Sequence, residues 1–272
     1  MNSAPRHYAP QKPKEKVGAE TYVSAAKRPV SVQEGYERWA PTYDLDPNPL
    51  LALEERQLRC MLPALQGKRV LDLACGTGRW LAWILGQEAN SAVGIDSSPA
   101  MLAAARQKPG LAGRLLAADC GVLPFPDRAF DLVLCAFAIS HIVDVERVAR
   151  EVARVTAPNG DVYVSDLHPQ AHAQGWRTGF RDDQGSVEIA TWPHSVRELL
   201  ATWMSSGFEC VQSVECRFTE MERPIFRRAG KAHLFAEVCH VPAVQVFHFQ
   251  LRPEPRMTGE PEGTDGQLEH AL

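Results

Sequence analysis

The chain has 272 residues, 45% hydrophobic and 23% charged, with a net charge of −4. That length suits one large α/β domain or two small ones around a sizeable core, and the acidic balance supplies no electrostatic case for gripping nucleic acid. No run approaches the ~18 apolar residues of a membrane span, the first residues hold no apolar signal core, and the seven cysteines are scattered without a C-x-x-C pair.

A reducing cytoplasm is therefore expected, with the cysteines as small apolar fillers rather than a disulfide framework or a metal site. Residues 1–30 are polar and rich in Pro, Lys and Ala, and are expected as a disordered tail. Tyr36, Trp39 and Tyr43 follow at spacings of three and four, a helical stripe of aromatics. Short apolar runs at 69–74, 91–96, 113–119, 130–137 and 160–167 read as buried strands. Helical patterns fill the gaps. In "DVERVAREVARV" the valines 145, 148, 152 and 155 make one apolar stripe, and "PNG" at 158–160 is placed to stop that helix. Such alternation means a parallel sheet covered on both faces.

After residue 167 the rhythm breaks. Residues 168–194 are polar and aromatic and look like an insertion. In "SVRELLATWMSSGF", Ser195 and Glu198 form a capping-box signature and Gly207 is placed to end the helix. Strands are expected at 208–218 and 243–252, a loop between them, and a second disordered tail over 253–272.

The chemistry concentrates in "VLDLACGTG" (70–78). In a parallel α/β sheet, ligands sit outside the carboxyl ends of the strands. Gly76 and Gly78 fall at that edge, but the third glycine of a dinucleotide fingerprint is replaced by Leu81. Asp72 also puts a carboxylate where a pyrophosphate would be repelled and an ammonium attracted. Asp96 ends the second strand, where an acid accepts ribose hydroxyls. Asp119 ends the third, within reach of an adenine amine. One such Asp often only caps the next helix; three at successive strand ends, after a glycine turn, are much harder to assign to capping.

This constellation resembles the class I S-adenosylmethionine-dependent methyltransferases over residues 34–252. "VLDLACGTG" is similar to the first motif of that family, "GIDSSPAML" to the second, and "AADCGVLPFPDRAFDLVLCAFAISHI" to the third and fourth. "EVARVTAPNGDVYVSD" and "LLATWMSSGF" look like the late motifs. The upstream "YERWAPTYDLDPNPLLALEER" resembles the methyltransferase type 11 subgroup, which includes quinone C-methylating enzymes.

The resemblance implies an α/β fold: a Rossmann-like seven-stranded, mostly parallel sheet with helices on both faces and an antiparallel C-terminal strand. It implies a helical lid over 31–66 and a methyltransferase domain over 67–252 interrupted by the 168–194 insertion. S-adenosylmethionine would be the cofactor and S-adenosylhomocysteine the product. Gly76 and Gly78 would back the methionyl part, Asp72 would lie near its amino group, and Ala74 replaces a commoner glycine. Asp96 would hold the ribose with Ser97 and Met101 flanking. Asp119 and Cys120 would read the adenine, and Ala136 would line the site beside the sulfonium. Tyr36, Tyr43 and Arg56 are expected from the lid, the guanidinium suiting a carboxylate.

Acceptors that must lose a proton need a base, and His141 and His168, on the loops after the fourth and fifth strands, are the candidates. His168, His172 and His194 lack an accompanying acid or cysteine at ligand spacing, so no metal is expected. In the insertion, Trp176, Arg177, Phe180 and Arg181 suit a partly apolar acceptor with a polar or anionic group, or a plain surface lid. The leading expectation is a monomeric or homodimeric enzyme acting on a small molecule. An RNA or protein methyltransferase and a non-catalytic S-adenosylmethionine-binding module remain the alternatives, while Leu81 and Asp72 disfavour a nicotinamide oxidoreductase.

Overall fold

The structure, a computed structural model, describes residues 29–253, so the expected tails lie almost wholly outside the described residues. Two helices, α1 (Val32–Trp39) and α2 (Pro49–Met61), precede an alternating run. The run is β1 (Arg69–Leu73), α3 (Arg79–Leu85), β2 (Ser91–Asp96), α4 (Pro99–Arg106), β3 (Leu115–Ala117), β4 (Phe130–Ala136), α5 (Val145–Val155) and β5 (Thr156–Leu167). Then come α6 (Pro169–Ala173), a hairpin of β6 (Gly179–Asp182) and β7 (Gly185–Glu188), and α7 (Val196–Ser205). The described chain closes with β8 (Phe208–Cys216), α8 (Arg223–Arg228), α9 (Phe235–Val238) and β9 (Val244–Leu251).

Seven strands form one sheet in the order β3-β2-β1-β4-β5-β9-β8. The first five pair in parallel, and β9 runs antiparallel to both neighbours. Alternation distributes the core. Val70, Leu132, Leu134, Tyr163 and Val246 face one side; Leu71, Leu73, Val133, Val162, Val164 and Phe247 face the other. Each fully buried Leu or Val contributes about 1.5–3 kcal/mol. The valine stripe of α5 is buried as its spacing requires, Asp144 caps that helix by accepting from the Arg147 amide at 2.9 Å, and the capping box of α7 is formed. Strand order reverses between β1 and β4, and this opens the crevice at their carboxyl ends. Among the described residues no helix is long and apolar enough to cross a membrane.

Several local expectations are corrected. "PNG" does not stop α5, which ends at Val155; instead Asn159, at φ 61°, and Gly160 form an irregularity inside β5. A Cβ on Gly160 would lie 2.7 Å from the Ala157 carbonyl, so the kink demands glycine there. The third strand is only three residues long, leaving Asp119 beyond its end. The segment at 219–242 is helical, not a loop: Phe218, Phe226 and Phe235 pack edge to face, at 4.8 and 5.3 Å between ring centres. Order begins inside the expected first tail, because Val30 bridges to the insertion, donating to the Glu188 carbonyl and accepting from the Ala190 amide, both at 2.9 Å.

Candidate functional site

The turn after β1 is a series of left-handed residues: Ala74 at φ 55°, Gly76 at 54° and Gly78 at 73°. The two glycines serve different purposes. A Cβ on Gly78 would lie 2.5 Å from the Leu111 side chain, so that glycine makes room for the turn after α4. A Cβ on Gly76 would meet nothing within 4 Å; the space before it is a cradle that a side chain would fill. Ala74 holds its conformation against an intrinsic cost of about 1–2 kcal/mol.

Carboxylates clamp this turn. Asp96 accepts from the Gly76 amide and the Ser98 amide, each at 2.8 Å, and burial raises its pKa against those bonds. Asp72 accepts from the Leu81 amide at 2.9 Å, and burial pushes its carboxyl up to about 7. A neighbouring cation would return it to the ionised form.

Beside them, Arg79 donates from Nη2 to the fully buried Glu54 at 2.8 Å, and Glu54 also accepts from Trp80 Nε1 and Ser165 Oγ, each at 3.0 Å. Nη1 of Arg79 is buried without a hydrogen-bond partner; the Glu55 carboxylate, 3.6 Å away, is close enough for charge attraction but too far to accept. Arg79, rather than Arg56, is thus the arginine beside this turn. Arg56 lies on the face of α2 turned toward α8, where it donates to Glu222 at 2.6 Å. One sequence signal pointed to Arg79: a cation in the first turn of a helix opposes the dipole, so it needs another reason to be there.

Asp72, Ala74, Gly76, Arg79, Trp80 and Asp96 line a cavity of about 200 Å³ over the carboxyl ends of β1, β2 and β4. Of the residues expected there, Tyr36, Tyr43, Asp72, Ala74, Gly76, Asp96, Ser97, Met101, Cys120 and Ala136 line it, with His141 at one end. Burial pushes the Cys120 thiol up to about 12, so it stands as a neutral wall. Gly78, Arg56 and Asp119 do not line it. Asp119 is exposed and closes a tight turn by accepting from the Gly121 amide at 2.6 Å.

His141 is held at both ring nitrogens. The Ala190 carbonyl, 3.0 Å from Nδ1, can only accept, so Nδ1 carries the proton. Nε2 is left to accept from the Tyr36 hydroxyl at 3.0 Å. Burial lowers the His141 pKa while the Asp166 carboxylate opposes that fall, and burial drives the Tyr36 phenol well up. Asp166 itself accepts from Ser140 N, Ser140 Oγ and Leu167 N at 2.6, 3.0 and 2.7 Å, fixing the turn that carries His141. Tyr36, Tyr43 and Phe137 also line a second cavity of about 510 Å³, roofed by α1 and the insertion hairpin, where Trp39 stacks on Phe180 at 5.2 Å.

His168 is elsewhere. It caps α6, accepting from the Gln170 amide at 3.1 Å, and faces Glu215 at 3.5 Å. His172 meets Thr191 and His194 meets the Ile142 carbonyl. Among the described residues no cluster of His, Cys, Asp or Glu is arranged to hold a metal.

A crevice at the switch point of a Rossmann-like sheet, with one open glycine and paired opposite charges, defines a nucleoside-cofactor domain. Residues 70–160 match the family described as methyltransferase domain. A demethylmenaquinone methyltransferase from Thermus thermophilus is 48% identical over 107 residues, 38% of this chain and 48% of that protein. One from Listeria welshimeri is 30% identical over 161 residues, 55% of this chain and 67% of its own length. The chain thus spans about half to two thirds of the length of these curated relatives. The solved S-adenosylmethionine-dependent methyltransferase from Mesorhizobium loti shares the fold, with a TM-score of 0.59 at 24% identity over 73% of this chain and 97% of that one. The chain belongs to the class I S-adenosylmethionine-dependent methyltransferases. The residues present fit that cofactor: the Gly76 cradle is open, Asp72 supplies a carboxylate for an ammonium, and Arg79, whose Nη1 makes no hydrogen bond, suits a carboxylate.

Proposed function

We propose that the protein methylates a small, partly apolar ring compound of hydroquinone type. The observation that carries this reading is the pair of adjoining cavities, which share Tyr36, Tyr43 and Phe137 as a common wall. The names of the relatives from Thermus and Listeria support a quinol-like acceptor.

S-adenosylmethionine, when bound, supplies an activated methyl group on a cationic sulfur. Asp72 and Arg79 would hold the charged ends of its methionyl part, Asp96 the ribose, and Met101 and Cys120 the base. The aromatic wall would align the acceptor and exclude water, which is most of what displacement from an activated donor requires. Tyr36 would touch the acceptor hydroxyl and pass its proton to Nε2 of His141. That nitrogen is deprotonated at neutral pH because burial lowers the imidazole pKa. α1 and the segment after it would act as the lid. Seven free cysteines accord with a reducing cytoplasm.

The test is methyl transfer from labelled S-adenosylmethionine to reduced 1,4-naphthoquinone and to a desalted cell extract. Label in the low-mass, solvent-extractable fraction is the expected result. Label in RNA or protein would overturn the acceptor class, and saturable S-adenosylhomocysteine binding without any transfer would mark a binding module.

A further inference from the structure

The larger cavity is lined both by aromatic and aliphatic side chains and by several cations. Arg181 lines it from the hairpin, and Arg228 and Lys231 from the end of α8 and the turn beyond it. Two separate parts of the chain therefore bring positive charge to one cavity. Among the described residues the side chains of Arg181 and Arg228 make no hydrogen bond or ion pair. Other cavity charges are accounted for. Arg177 donates to the His172 and Trp176 carbonyls at 2.7 and 2.8 Å. Asp166 is occupied by Ser140 and Leu167, and Asp46 acts on Lys231. Four cations, Arg177, Arg181, Arg228 and Lys231, thus stand against two acids, Asp46 and Asp166, around a cavity in a chain whose net charge is −4.

We infer that the acceptor carries an oxyanion, a carboxylate or a phosphate, which Arg181 and Arg228 bind in this cavity while its ring lies against Tyr36 and Phe137. The inference rests on the methyl-transfer reading and narrows it: a neutral quinol would leave both guanidinium groups unmatched. Arginine suits this task because its planar fork pairs two donors with two oxygens. These two arginines set orientation as well. An anion anchored on them points the far end of the ring at the shared wall and His141.

Calorimetry on the complex with S-adenosylhomocysteine tests it, using 2-naphthoate, 2-naphthyl phosphate and neutral 2-naphthamide as probes. One anion is expected to bind at least tenfold more tightly than the amide, and the tighter of the two identifies the group. Added salt should erode that preference. Arg181→Gln and Arg228→Gln should each reduce it several-fold without altering amide binding; both side chains are exposed, so folding is not at stake. Arg227→Gln, on an exposed neighbour outside the cavity, should change nothing. Equal binding of amide and anions, retention of the preference in the variants, or no binding of either anion would overturn the inference. Failure to bind S-adenosylhomocysteine would sink the methyltransferase reading itself, a separate result read in the same instrument.

Discussion

The two cavities are built by opposite strategies. The smaller one is made largely of consecutive residues at three strand ends, its turn held by hydrogen bonds from Asp72 and Asp96 and its one open position at Gly76. The larger one is assembled from distant pieces: the stretch from Tyr36 to Leu51, the insertion around Phe180, and the turn at Lys231. A cofactor common to a whole family needs a cradle that the local backbone can specify. An acceptor peculiar to one enzyme is met by side chains brought together by packing, where loops vary without disturbing the sheet.

The sharpest way to break this contrast is at the shared wall. His141→Gln should lower kcat by about 10²–10⁴-fold, the range of general-base catalysis, while S-adenosylhomocysteine affinity changes only a few-fold. The acid limb of the wild-type rate profile should fall below pH 6.5, since burial lowers the His141 pKa.

On the cofactor side, Asp72→Asn should weaken S-adenosylhomocysteine binding by roughly 10–100-fold, the worth of a charge-assisted bond. The wild-type carboxyl has its pKa raised from 3.8 to about 7 by burial, so the folded free protein holds an extra proton between those values. Stability of the free protein should therefore decline as pH rises through that window and level off above it. Because the ligand's ammonium favours the ionised form, its affinity should rise through pH 7 in the wild type and stay flat in the variant, followed by calorimetry at pH 6 and pH 8.

The two glycines sharpen the comparison further, with losses in different properties. Gly78→Ala should lower the melting temperature, because its Cβ meets Leu111 at 2.5 Å, whereas Gly76→Ala should chiefly weaken cofactor binding. Both share the left-handed strain of about 1–2 kcal/mol, so the difference between them reports what each Cβ touches. The smallest effect is expected from Ala74→Gly. Relief of the φ 55° strain, partly offset by the entropy of glycine, should raise stability by at most about 1 kcal/mol in thermal melts.

What the sequence determined by itself is the part whose cause is local. Strand–helix alternation, the valine stripe of α5, the capping box of α7 and the acid–glycine spacing from Asp72 to Asp96 are read from neighbours along the chain, and together they define the sheet and one rim of the cavity. Tertiary structure decided the rest. Arg56 and Arg79 are equally plausible cations on paper, and only the packing of α2 between the sheet and α8 turns one toward Glu222 and leaves the other lining the cavity. His141 and His168 both follow strand ends, yet the bond to Tyr36, 105 positions away, singles out His141. The phenylalanines packed around 219–242 and the arginines that line the larger cavity carry no local period. Their arrangement comes from long-range burial and charge, which no window of neighbouring residues contains.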